Sequence, residues 1–77
     1  MDTYNFSLLI SKPVVDDEIA ANHLYTSGCD DALFSVSAGI YTIEFDRVAH
    51  SFKDAVESAV YDVKNADIGV VILLTRL

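Results

Sequence analysis

Residues 27–36, SGCDDALFSV, gather the most reactive side-chain types in the chain. The only cysteine, Cys29, stands beside Asp30 and Asp31, and His23 lies just upstream. Thiolate, imidazole and carboxylate are the groups from which zinc sites and thiol nucleophiles are built. A structural zinc site needs four Cys or His ligands at recurring spacings such as C-x₂-C. Here there is one Cys, one His inside a predicted helix, and a second His, His50, far along the chain. A reactive thiol wants a neighbouring cation or a helix N-terminus. Cys29 instead follows a helix C-terminus and precedes two acids, which hold the thiol protonated. The expectation is no catalytic residue, no metal ligand and no cofactor, with Cys29 as a small packing residue.

The elements that must position these residues are legible in the hydropathy pattern. YNFSLLIS, residues 4–11, alternates, with Tyr4, Phe6, Leu8 and Ile10 on one side and Leu9 the apolar exception on the other. Pro13 interrupts it. DDEIAANHLYTSG, residues 16–28, reads as a helix. Its acids Asp16, Asp17 and Glu18 sit at the positive end of the dipole, and Gly28 is placed to end it. Ile19, Ala20, His23 and Leu24 are expected on its packed face. ALFSVSAG and IYTIEFDR form a predicted hairpin about Ala38-Gly39, with Ala32, Phe34, Val36, Tyr41, Ile43 and Phe45 inward. The opposite register would bury Glu44 and Asp46 without partners.

SFKDAVESAVYDVKNA, residues 51–66, carries Phe52, Ala55, Val56, Ala59, Val60 and Val63 at helical spacing. Ser51 and Asp54 have the S-x-x-D form of a helix start, and Lys53 and Glu57 are spaced for a surface pair. IGVVILLTRL, residues 68–77, is a continuous apolar run, expected to be a strand buried on both sides or covered by a partner. The order β-α-β-β-α-β predicts one α+β domain over residues 1–77. Its arrangement is ferredoxin-like, a four-stranded antiparallel sheet with two helices on one face. The other sheet face is left open, and Leu9, Leu33, Val71 and Leu73 are expected there as contacts of a homodimer.

Other uses of this arrangement lack their residues. SKPVVDDE offers no arginine to hold a phosphate in the loop after the first strand, and no paired cysteines for metal transfer. Aromatics for stacking RNA bases would have to sit on the open face in a basic field. Tyr41 and Phe45 face inward, and twelve acids against five bases give a net charge of −7. That charge disfavours direct contact with nucleic acid or an anionic membrane. The apolar run of residues 69–74 is far short of the ~20 residues of a membrane span. MDTYNFSLLI carries acid where a signal peptide carries base. A single cysteine excludes an internal disulfide and fits a reducing compartment. A cytoplasmic protein, bacterial or in a phage-infected host, is expected.

The charge has its own candidate surface. Asp16, Asp17 and Glu18 on the first helix, Asp30 and Asp31 after it, and Asp54, Glu57 and Asp62 on the second could form an acidic face. Tyr25 and Tyr61 point outward from the two helices as candidate anchors. Spaced carboxylates of this kind can occupy a basic groove in place of a phosphate backbone. This second reading makes the chain an acidic inhibitor of phage type, an anti-CRISPR or other anti-defence protein acting as a DNA mimic.

Three segments in order carry a resemblance. They are GCDDA at 28–32, EFDR at 44–47 and SFKDAVESAVYDV at 51–63. Together they make the chain similar to the acidic N-terminal domain of small bacterial helix-turn-helix DNA-binding proteins. In that family a helix-turn-helix segment follows the domain and contacts DNA. The 77 residues reach only the last strand. The resemblance therefore implies an accessory or dimerising role, a protein partner and no catalytic residue.

Overall fold

The computed structural model describes residues 1–13, 15–29 and 31–75. They form β1 (Asp2–Ile10), α1 (Asp17–Thr26), β2 (Ala32–Ser37), β3 (Ile40–Ala49), α2 (Phe52–Ala66) and β4 (Val71–Thr75). The strands make one antiparallel sheet in the order β2-β3-β1-β4. Both helices contribute to a single core on one face of it. The fold is α+β and ferredoxin-like, as the element order predicts.

The alternation in β1 does what period-two geometry requires. Phe6, Leu8 and Ile10 are buried, and Phe6 and Leu8 lie directly opposite Phe45 and Ile43 of β3. The Phe6 and Phe45 rings stack with centroids 5.3 Å apart. Phe52, at the start of α2, meets Phe6 and Tyr4 edge-on, at 5.8 and 6.0 Å. Fully burying side chains of this size is worth roughly 1.5–3 kcal/mol each, so this cluster anchors the domain. α2 begins where the S-x-x-D pattern places it, with the Ser51 hydroxyl accepting from the Asp54 N–H at 3.1 Å. Its buried stripe is Ala55, Ala59, Val63 and Ala66. Lys53 and Glu57 lie 3.8 Å apart on its exposed side. Ala38 and Gly39 both have positive φ, 51° and 78°. They form the tight two-residue turn whose twist suits a hairpin.

Four expectations are corrected. α1 buries only Ala20 and Leu24, while Ile19 and His23 are exposed. This short helix seats one i, i+4 ridge on the sheet, and the residues beside that ridge stay in water. Val36 lies near the free end of the hairpin and is also exposed, although Ala32 and Phe34 pack on the core. β4 is not buried on both sides. It has one neighbour, β1, and Ile72, Leu73 and Leu74 are exposed. Finally, Val71 does not belong to the open face. Leu9 pairs with Leu73 but Ile10 pairs with Val71, so β4 carries one extra residue there. That bulge puts Val71 on the face of Ile10, where it packs on the core.

Candidate functional site

The reactive-looking stretch has a partner that lies on β3. Inward positions of β3 run Tyr41, Ile43, Phe45 and then Arg47, which is 7 % exposed. Strand alternation sends this guanidinium under the turn between α1 and β2. Its Nε and Nη2 donate to the two oxygens of Asp31, both at 2.8 Å. Nη1 donates to Asp62 Oδ2 at 2.9 Å and to Ser58 Oγ at 3.2 Å, and Nη2 also reaches the Gly28 carbonyl at 3.1 Å. The guanidinium carbon stands 4.9 Å from the centre of the Phe45 ring. The two-pronged pair with Asp31 is the strongest geometry open to an arginine and a carboxylate.

These bonds join three parts of the chain. Asp31 and Gly28 belong to the turn after α1, Ser58 and Asp62 to α2, and Arg47 to β3. Gly28 has φ of 112°, and a Cβ there would lie 3.1 Å from an Asp62 oxygen. Only glycine meets both conditions without strain. Ser27 fastens the same turn to α2, its hydroxyl donating to the Asp62 carbonyl at 2.8 Å. No buried side-chain nitrogen or oxygen among the described residues is left without a hydrogen bond.

The electrostatics follow from these contacts. Arg47 is raised above its ordinary pKa, first by its hydrogen bond to Asp31, with desolvation opposing, so it stays charged. Cys29 is buried beneath the turn, and burial pushes its thiol from 9.0 up to about 11. The nearby Ser27 hydroxyl pulls it down, Asp62 and Asp31 add to the rise, and Arg47 opposes them. At neutral pH such a thiol is protonated, a poor nucleophile and a poor ligand.

The arrangement brings Asp31 and Asp62 together, but not as members of a free acidic face. Each is spent on Arg47, and their side chains are 28 % and 22 % exposed. The expectation that Asp62 stands on the open side of α2 is corrected accordingly. Asp30 lies outside the described residues. Asp16, Asp17, Glu18, Asp54 and Glu57 are exposed, as are Tyr25 and Tyr61. Arg47 itself was missed by the sequence reading, although the period of two in residues 41–47 points it inward.

The sheet face away from the helices is less apolar than expected. Down its middle, Asn5 donates to Glu44 at 3.1 Å and to Asp46 at 2.8 Å, and Ser35 bonds Thr42 at 2.8 Å. Leu9 is half-buried there, across from Leu73, while Leu33 sits at the β2 side. The exposed apolar mass is concentrated at β4 and its approach, in Val70, Ile72, Leu73 and Leu74. No helix is long and apolar enough to cross a membrane among the described residues. Compared with protein-family models, curated proteins and solved structures, the chain matches none.

Proposed function

We propose that this chain is a non-enzymatic protein-interaction module, of the kind that accompanies helix-turn-helix segments in small bacterial DNA-binding proteins. Its leading activity is self-association through β4. The observation that carries this reading is the unprotected β4 edge. Edge strands are normally blunted by charges, prolines or a covering element. Residues 68–75 contain neither a charge nor a proline, and Val70, Ile72, Leu73 and Leu74 are exposed. Like charges repel across an interface, so a chain of net charge −7 associates with itself best where it carries no acid. A two-fold contact would set β4 of one copy against β4 of another and cover both edges with one patch.

The Arg47 cluster supports the family part of the reading. The three segments on which the resemblance rests each contribute to it: Gly28 and Asp31, Arg47, and Ser58 and Asp62. Shared motifs that meet in one ion-pair network are explained by a shared fold, with no need for catalysis. The acidic-inhibitor reading is weakened by the same cluster. Two of its eight carboxylates are paired with Arg47, and Glu57 has Lys53 beside it. A basic protein partner for the remaining acids, in a bacterial cytoplasm, stays part of the proposal as a second contact.

Light scattering after size exclusion, across two decades of concentration and at low and high salt, tests the reading. The expected result is a dimer that persists in salt and dissociates in Leu73→Lys. A strict monomer at every concentration overturns it. A partner captured only at low salt, and lost on reversing Asp17 and Asp54, would favour the inhibitor instead.

A further inference from the structure

The second free edge of the sheet, β2, has a different construction, and its chemistry specifies a different occupant. The ladder with β3 is phased at both ends. The Asp46 N–H bonds the Asp31 carbonyl at 3.2 Å, and the two-residue turn closes on Ser37 and Ile40. Bonded and non-bonded pairs alternate in an antiparallel ladder. Residues 31, 33, 35 and 37 therefore spend their backbone groups on β3, and Ala32, Phe34 and Val36 turn theirs to the outer edge. Among the described residues no strand pairs with that edge. It contains no charge and no proline to repel one.

Directly beside this edge, α1 overhangs β2 and leaves an open crevice of about 250 Å³. Leu24, Tyr25, Cys29, Phe34 and Ile43 are among the groups lining it. A strand added to β2 would send alternate side chains toward α1, into this crevice, and the others toward the open face. On the open face the neighbours are Leu33 and, directly across from it, Glu44. On the other side, Asp17 and Glu18 share the flank of α1 with Ala21 and Tyr25 by their i, i+4 and i, i+3 spacing. Acids thus border the edge on both sides, and no base lies in α1, β2 or the turn between them apart from His23.

We infer that β2 and the α1 crevice form a docking edge for an extended peptide segment of a partner protein, in which an apolar residue alternates with basic ones. Backbone pairing along Ala32, Phe34 and Val36 supplies the register. The apolar side chains turn toward α1, the central one filling the crevice beneath Tyr25, and the alternating basic residues project on the open face toward Glu44. This is strand addition to a sheet edge. It is independent of self-association at β4, the opposite edge of the sheet.

A fluorescent peptide Lys-Val-Lys-Leu-Lys-Val-Lys titrated into the intact isotope-labelled protein tests this. Saturable binding with amide shifts centred on Ala32, Phe34 and Val36 is expected. N-methylating alternate peptide amides removes the pairing, and filling the crevice with Ala21→Trp removes the pocket. Each should weaken binding about tenfold or more. Replacing the peptide lysines with glutamate should abolish it. Equal binding of the N-methylated peptide, shifts centred on β4, no binding of the lysine peptide, or a second copy of the chain found on β2 overturns the inference. Shift mapping on the wild-type protein decides the matter even if Ala21→Trp fails to fold.

Discussion

Both edge strands of the sheet are short, uncharged and mostly apolar, yet they are attached to the domain by different interactions. β2 emerges from a turn fastened by a charged network, with Arg47 on Asp31, Asp62, Ser58 and the Gly28 carbonyl. A two-residue turn then fixes its other end. β4 has no ion pair among the described residues. It is approached through Ile68, which is buried, and through paired bonds of 2.9 Å between Ser11 and Val70. It is held on one side only, with a bulge at the point of attachment. The directional network fixes the β2 edge as a rigid template. The apolar attachment leaves Ile72, Leu73 and Leu74 of β4 exposed, a surface that gains from being covered.

The largest expected effect comes from removing the network. Arg47→Ala leaves Asp31 and Asp62 facing each other without a cation, and breaking such a pair costs about 3 kcal/mol. For a 77-residue domain that is a large share of total stability. Urea denaturation would measure the loss. Hydrogen exchange would locate it, with β2 and the end of β3 losing protection before the β1–β4 pair. Equal loss in both halves would break the distinction between the two edges. Arg47→Lys should rescue little, because an ammonium cannot make the two-pronged contact with Asp31.

The β4 edge is broken differently. Leu73→Lys removes no core contact, since Leu73 is 52 % exposed, so the monomer should keep its stability within about 0.5 kcal/mol. Self-association should be lost, as read by light scattering. A smaller test lies inside the network. Asp31 makes two bonds of 2.8 Å to Arg47 and Asp62 makes one of 2.9 Å. Asp31→Asn should therefore cost about 2 kcal/mol and Asp62→Asn about 1 kcal/mol in the same denaturation series. A reversed order would place the weight of the cluster on α2 instead of on the turn.

The legibility of these features in the sequence follows their range. Period-two alternation in β1 and the helical stripe of α2 are local, and both are recovered residue by residue. The S-x-x-D start of α2 and the turn at Ala38-Gly39 are also local, and both are found where the pattern puts them. The failures involve residues whose environment is set at a distance. Arg47 continues the inward series 41, 43, 45, but a charge at a strand end reads as solvated unless its partners are known. Those partners, Asp31 and Asp62, read as surface acids for the same reason. Val71 depends on one extra residue in β4, which no hydropathy pattern reveals, and β4 itself looks like a central strand because apolar runs serve buried strands and sticky edges alike.

Cys29 reports on the interior side of the β2 turn. Its thiol has a folded pKa of about 11 against 9.0 for a free one, chiefly from burial. The folded state therefore holds the proton more tightly than the unfolded one. The stability this confers is complete below pH 9 and is lost as pH rises toward about 11. Against a Cys29→Ala variant, the wild-type advantage in urea midpoint should shrink across that window. Alkylation of Cys29 at neutral pH should be slow and should accelerate only with unfolding. A fast reaction in the folded protein would mean that the turn over Cys29 opens readily, which the Arg47 network is positioned to prevent.

The smallest expected effect concerns the far end of β2. Ala38 has φ of 51°, a left-handed conformation that its Cβ disfavours by about 1–2 kcal/mol. Glycine removes that penalty but gives the unfolded chain more freedom, an opposing term of roughly 0.5–1 kcal/mol. Ala38→Gly should therefore raise stability by about 0.5 kcal/mol. The gain should appear as slower exchange at Ser37 and Ile40, because the hairpin end is where β2 lacks a side-chain tether. If the change is neutral throughout β2 while Arg47→Ala frees the whole strand, the network alone holds this edge. If Ala38→Gly protects β2 as far as Phe34, the turn and the network share the work of keeping its outer backbone groups in register for a partner strand.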